Sequence, residues 1–492
     1  MKQTPFSLPL AILCLFLPVL RAPATVYYVN ANNLTPAAPF NTWDTAATNI
    51  QDAINVTSSG DTVLVTNGVY AYGGMVMAGT LANRVALSNA ITVQSVNGPW
   101  VTTIQGAGAT NGAGAVRCAW LTNGASLIGF TLQGGATQSA GDTVNLQSGG
   151  GVWCASSNAF VGNCVIVSNT ANYYGGGVYQ GTVQNSLISS NGAVYLNGGT
   201  TYKSVLNNCS LVGNATYGAV SPLAMTNCII YYNGTANYTV SGSAFSHCCT
   251  TPALAGTGNF INPPLLFVDG VHLAVNSPCI GAGISLANGT DIFGNAWSNP
   301  PAVGCAEWSP VPIIFPQPAT QFPLTGGVAI GVNVGGQPPF GCWWTKDGVP
   351  IQNDGHYSSA NTNTFLISGF SLSDAGGYQV VVSNSFGMAT SAVSQVSVHC
   401  VALGGTALPP YSDWTTAATN IQDAINVAQT GDVILVTNGL YAPAGGLVMA
   451  GSLTNRWPCT NLSWCRVSTA PGSRPSWVEA RRTALGPYAA RG

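Results

Sequence analysis

The sequence predicts an all-β chain built on a stacked-coil solenoid, and three observations predict it. A short motif, Asn-[Cys/Ser]-x-[Ile/Leu]-x-x-Asn, returns four times from Asn163, Asn185, Asn208 and Asn227, with starts 22, 23 and 19 residues apart. A period near 20 residues with short apolar segments marks coils that stack like on like. Only 5% of residues are Asp, Glu, Lys or Arg and 60 are Gly, whereas an average soluble protein is roughly 25% charged. The polar surface must then come from Asn, Thr, Ser and Gln, which satisfy one another in ladders along a stack. Finally, a helix-spaced segment that leads into a strand occurs at 43–70 and again at 414–441. Such a unit covers the open end of a solenoid, whose first coil would otherwise expose unpaired backbone.

The chain opens with Lys2, an apolar run over 8–20 broken by Pro9 and Pro18, and a small-x-small site at Ala22-Pro-Ala24. This is the pattern of a cleaved secretory signal over 1–24, too short and too proline-broken for a membrane anchor. Residues 25–29 read as a strand. Ala46, Ala47, Ile50, Ala53 and Ile54 then follow helical spacing over 46–56. Gly60-Asp61 turns the chain into further strands at 62–65, 67–70, 91–94, 103–105 and 127–132. Glycine runs at 149–151 and 175–177 supply the corners of coils, and the motif coils continue to about residue 241. Residues 261–308 read as a closing segment.

The pairing of Gly-Gly-Gly-Val-[Trp/Tyr] at 149–153 and 175–179 with the Asn motif resembles bacterial right-handed parallel β-helix repeat proteins. It is similar to polymorphic outer-membrane proteins and autotransporter-like passengers. The stretches at 267–269, 277–283 and 290–295 resemble the segment that commonly ends such helices. The resemblance covers residues 25–309 and implies a right-handed parallel β-helix with a short N-terminal capping helix. Residues 310–318 are proline-rich and are expected to be a linker. Residues 319–399 resemble an immunoglobulin-like β-sandwich. The resemblance makes Trp344 the buried core tryptophan and Tyr378 the tyrosine corner, with Asp374 in the turn before it. Val380 stands where the family's second cysteine belongs, so the central disulfide is expected to be missing.

Residues 414–426 repeat 43–55 almost letter for letter, and the match runs on to Arg456, equivalent to Arg84. Residues 400–456 therefore start a second β-helix. Past 456 the composition changes, and five of the chain's twelve Lys and Arg residues fall in its last 36 positions. Reading the last base of each codon with the first two of the next allows codons that spell residues 93–104, and Trp464-Cys465 is then forced to Val. Residues 457–492 are accordingly expected to be an out-of-frame, structureless tail, and 400–492 to be readily proteolysed.

The net charge of −2 offers nothing to a nucleic acid or an anionic membrane. Between residues 143 and 245 the only charged side chain is Lys203. Hydrolysis or lyase chemistry needs carboxylates or a metal-bound water, so the coils are expected to carry no catalytic residue, no metal and no cofactor. Asp142, Asp269, His272, Asp291 and Glu307 are expected to cap turns. Tyrosines crowd the coils, and Tyr173, Tyr174, Tyr195, Tyr202, Tyr231 and Tyr232 are the candidate ligand surface, neutral and suited to glycan or protein. Asn163, Asn185, Asn208 and Asn227 are the expected side-chain ladder, with Cys164, Cys209 and Cys228 stacked inside as small apolar groups. Cys248-Cys249 and the pair Cys279 and Cys305 are the expected disulfide candidates. The sequence thus points to a secreted or cell-surface structural or adhesion protein. The alternative is a carbohydrate-active enzyme of the pectate-lyase-like class.

Overall fold

The computed structural model describes residues 24–108, 111–195, 197–239, 244–286, 289–321, 327–429, 431–439, 441, 447–450, 453–455, 464–468 and 477–478. The signal segment, Cys14 and most of the tail beyond 456 lie outside these residues. The chain divides into two units, Met1–Ile261 with Thr290–Gly294, and Asn262–Gly289 with Asn295–Gly492.

The first unit is a right-handed parallel β-helix whose three sheets hold nine, eight and seven strands. The motif builds the corner between the first two sheets. Its first residue bends the chain in the left-handed region, with φ of 50° at Asn163, 48° at Asn185 and Asn208, and 54° at Asn227. Asn tolerates this conformation better than other side chains, which explains its use there. The next strand is only three residues long, and Ser168, Ser190, Gly213 and Tyr232 turn it again at φ of 56–64°. Inside, Ile166, Ile188, Leu211 and Ile230 stack in register and are fully buried. Each such side chain stabilises the stack by about 1.5–3 kcal/mol.

The end cap is shorter than the sequence pattern predicts. The helix spans Ile50–Ile54, with Asn49 as N-cap accepting from the Asp52 amide. Ala46 and Ala47 are buried but not helical, because Ala47 exchanges backbone hydrogen bonds with Tyr28 and Asn30. Gln51 fixes the helix to the stack through both backbone groups of Ala86, at 2.7 and 3.3 Å.

The second unit holds the antiparallel sandwich. One sheet runs Ile313–Gln321, Gly327–Gly335, Thr364–Ser368, Tyr357–Ser358; the other is centred on Gly341–Lys346 and Gly376–Asn384. The expected linker is thus mostly strand. Pro316 and Pro318 fit because they sit on an edge strand at a register shift between Phe315 and Ala319, where missing N–H groups cost little. Trp344 is fully buried and donates from Nε1 to the Thr362 carbonyl at 2.8 Å. Tyr378 donates to the Asp374 carbonyl at 2.7 Å, which closes the tyrosine corner.

The second cap follows directly. Val398–Val401 pairs in parallel with Val433–Thr437 and lies against the helix Ile421–Val427. Alternate residues serve two cores. Val398, Cys400, Val433 and Leu435 join the apolar cluster of the sandwich, with Trp344 and Tyr378. Val401, Ile434 and Val436 join the helix. In the tail expected to lack structure, Trp464–Ser468 adds a parallel strand to Val433–Thr437, the place that Thr92–Ser95 takes in the first module. An unpaired strand edge recruits extended backbone whatever its side chains.

The cap carries a pH-dependent pair. His399 donates from Nδ1 to the Pro410 carbonyl and meets Asp432 through Nε2 at 3.1 Å. Burial alone would lower the His399 pKa, but its bonds to Asp432 and Pro410 outweigh burial and raise it. Burial would raise Asp432, yet His399 and the Gln429 amide hold it below the usual carboxylate range. The pair's stabilisation is therefore complete between the ordinary Asp and His values, about 3.9 and 6.5. It fades as pH climbs through the raised His399 value or drops through the depressed Asp432 value. Hydrogen exchange over 398–437, corrected for intrinsic rates, is expected to show greatest protection near pH 5–6. Tyr27 holds the same place in the first module, so residues 26–65 should lack the decline at neutral pH.

Candidate functional site: a tyrosine surface on the third sheet

Outward-facing positions of the third sheet place Trp120, Trp153, Tyr179 and Tyr202 in register, one per coil. Their rings stack with centroids 5.4, 6.0 and 5.7 Å apart and planes within 13°. Trp153 and Tyr179 are buried, and Trp153 Nε1 donates to the Val144 carbonyl at 3.0 Å. The row is partly exposed at both ends, Trp120 and Tyr202, and more rings gather at Tyr202. Tyr174 stacks on Tyr202 at 3.9 Å, Tyr173 stacks on Tyr195 at 4.4 Å, and Tyr173 meets Tyr174 edge-on at 4.3 Å. Four of the six predicted tyrosines are thus one contiguous, partly exposed aromatic surface. Lys203 reaches over the Tyr202 ring at 5.4 Å.

Tyr231 and Tyr232 do not belong to it. They form their own edge-on pair on the second sheet, and Tyr231 donates to the Ile261 carbonyl at 2.9 Å. Burial raises the pKa of Tyr174 and Tyr179, so their phenols stay neutral donors around pH 7. The surface offers π-faces and phenolic hydroxyls, with the Lys203 ammonium beside the Tyr202 ring.

Trp120 and Trp153 were absent from the predicted surface, although Trp153 holds the same repeat position as Tyr179. Arg117 gave no sequence signal at all. It is fully buried and donates to the carbonyls of Gly149, Ser148 and Asn145 and to Asn83 Oδ1, at 2.7–3.0 Å. Burial brings its pKa down to about 9. It pins the 142–149 loop, and Asp142 caps the same loop through the amides of Val144 and Asn145.

The predicted amide ladder is short. Asn227 donates to Asn208 at 2.9 Å and Asn208 to Asn185 at 3.2 Å, but Asn185 donates to the Thr290 carbonyl instead of Asn163. A longer ladder runs through the motif's last residue. Asn169, Asn191, Asn214 and Asn233 each donate to the next amide at 2.8–3.2 Å, ending on Asn237. Each also donates to a strand carbonyl of the preceding coil, at 2.8–3.0 Å. Cys164, Cys209, Cys228 and Cys248 line the interior as free thiols, each donating to the carbonyl two residues before it. Burial pushes Cys164 up to about 11. With Cys248 and Cys279 free, neither predicted disulfide is formed; coil registry sets Cys248 in the thiol column instead.

The carboxylates serve backbone. Glu307 accepts from the amides of Ser298, Ala302 and Trp308 at 3.0–3.1 Å. Asp269 accepts from Val271 and His272, and its carboxylate contacts His272 Nδ1 at 2.5 Å. Among the described residues, no three His, Cys, Asp or Glu side chains converge on a metal position.

Residues 326–398 match the immunoglobulin I-set domain. Among solved structures, the chain is similar to titin M4, at 24% identity over 18% of this chain and 98% of that one, with a TM-score of 0.16. It is also similar to pectate lyase Pel9A, at 13% identity over 58% and 96%, with a TM-score of 0.31. A rhamnogalacturonan lyase matches at 12% identity over 48% and 62%, with a TM-score of 0.30. A search of curated proteins finds no match. No helix among the described residues is long and apolar enough to cross a membrane.

Proposed function

We propose that this is a secreted or surface-displayed, non-catalytic protein whose β-helix presents Tyr173, Tyr174, Tyr195 and Tyr202 to a glycan or protein ligand outside the cell. The observation that carries the reading is the contiguity of those four rings. Their own packing holds them, so little side-chain freedom is lost when a ligand arrives. The nearest charges, Lys203 and Asp142, are engaged over a ring and in a loop cap, which leaves no acid and base facing each other across the rings.

The test is binding of the full chain to immobilised neutral and acidic polysaccharides and to extracellular-matrix proteins, with calcium present. The expected result is retention without product release, weakened about tenfold in a Tyr174→Ala, Tyr202→Ala double variant. Depolymerisation of any polysaccharide would replace this reading with the lyase-type enzyme.

A further inference from the structure

A second site lies on another face of the β-helix, at the corner where the first sheet passes to the second. Ser95, Gly129, Asn163 and Asn185 occupy this corner in successive coils, as the strand registers before them show. The segment Thr290–Gly294 belongs to the same unit and lies across the corner row. Phe293 stacks on Trp100 there, with centroids 5.1 Å apart and planes 5° from parallel. Between the row and the segment is a cavity of about 250 Å³, lined by Gln94, Asn97, Trp100, Gly129, Asn163 and Phe293 among others.

Two departures from the repeat create this space. The corner residue is Gly129 where later coils place Asn, so no side chain fills the row at that level. Asn185 gives its amide hydrogen to Thr290, so the ladder stops one coil short and the Asn163 side chain makes no hydrogen bond among the described residues. Trp100 remains 49% exposed although one face is covered by Phe293. The cavity therefore combines an aromatic wall, the uncommitted Asn163 amide, the Gln94 amide and the amide of Asn97, whose Nδ2 also donates to Asn67 Oδ1 at 2.7 Å, with no charged side chain in its lining.

We propose that this cavity binds a single neutral pyranose unit of a glycan. A sugar ring has apolar C–H faces for Trp100 and hydroxyls that both give and accept hydrogen bonds, as the amides do. An anionic sugar would find no cation there, and an apolar ligand would strand the amides. The site is distinct from the tyrosine surface and does not depend on it.

The experiment titrates the full chain calorimetrically with cellohexaose, mannohexaose, chitotetraose and galactotetraose, with oligogalacturonate as the charged control. At least one neutral oligosaccharide is expected to bind. Trp100→Ala should weaken it about tenfold, and Asn163→Gly several-fold, while Tyr202→Ala leaves this component intact. Glycine is at ease at the φ of 50° that Asn163 adopts, so Asn163→Gly decides the matter even if Trp100→Ala unfolds. Unchanged affinity and stoichiometry in both corner variants, binding of the charged control alone, or no binding by any neutral oligosaccharide would overturn the proposal. Loss in Tyr202→Ala with both corner variants unaffected would also overturn it, and would leave the tyrosine surface standing.

Discussion

Asn191→Ala is expected to destabilise the β-helix by about 4 kcal/mol. The side chain is fully buried and sits mid-ladder. Its Oδ1 accepts from both the backbone amide and the side chain of Asn169, each at 3.0 Å, and its Nδ2 donates to the Ile166 and Ser189 carbonyls and to Asn214. Truncation strands at least two buried groups, each costing on the order of 1–3 kcal/mol, and leaves a void that rigid coils cannot close. Asn208→Gly is the contrast. It removes an amide from the shorter ladder but puts glycine where φ is 48°, a conformation that favours it. Its cost should be about 1 kcal/mol. Urea unfolding of the full chain, followed by circular dichroism, measures both. A loss under about 1 kcal/mol for Asn191→Ala would show that the ladder is not what holds the coils in register.

Trp344→Ala should have a comparable effect on the second unit, about 3–5 kcal/mol. Trp344 packs on Phe365 with ring centroids 4.9 Å apart and satisfies the Thr362 carbonyl. A typical domain is stable by 5–15 kcal/mol, so much of the margin goes. Because Val398, Cys400, Val433 and Leu435 share that core, hydrogen exchange over 398–436 should rise with that of the sandwich, while residues 26–250 stay protected. Unchanged exchange over 398–436 would mean that the cap stands alone.

The coil architecture was legible because a solenoid writes its geometry as a period. Asn at a left-handed corner, a small residue inside it and an aliphatic residue at the strand centre each have one physical reason to be there. Trp344, Asp374 and Tyr378 were legible for the same reason: position and chemistry agree. The misreadings have two sources. Prolines in 310–318 hide a strand that pairs with the next one along the chain, and nothing local tells that the Asn185 amide will turn to Thr290, 105 residues away. Periodicity likewise showed many tyrosines but not which rings would touch. Tyr173, Tyr174, Tyr195 and Tyr202 come together because the third sheet brings consecutive coils side by side, whereas Tyr231 sits on another sheet. Arg117 was illegible because its partners are carbonyls, which every residue has.

The shared core of the sandwich and the second cap bears on how such a chain assembles. The first coil of a solenoid has no neighbour on one side to pair its edge or cover its core. Here Val398 and Val433 form that first layer already seated on a finished domain. The sandwich thus supplies the buried partner that a first coil otherwise lacks, and the edge of Val433–Thr437 is left to pair with Trp464–Ser468.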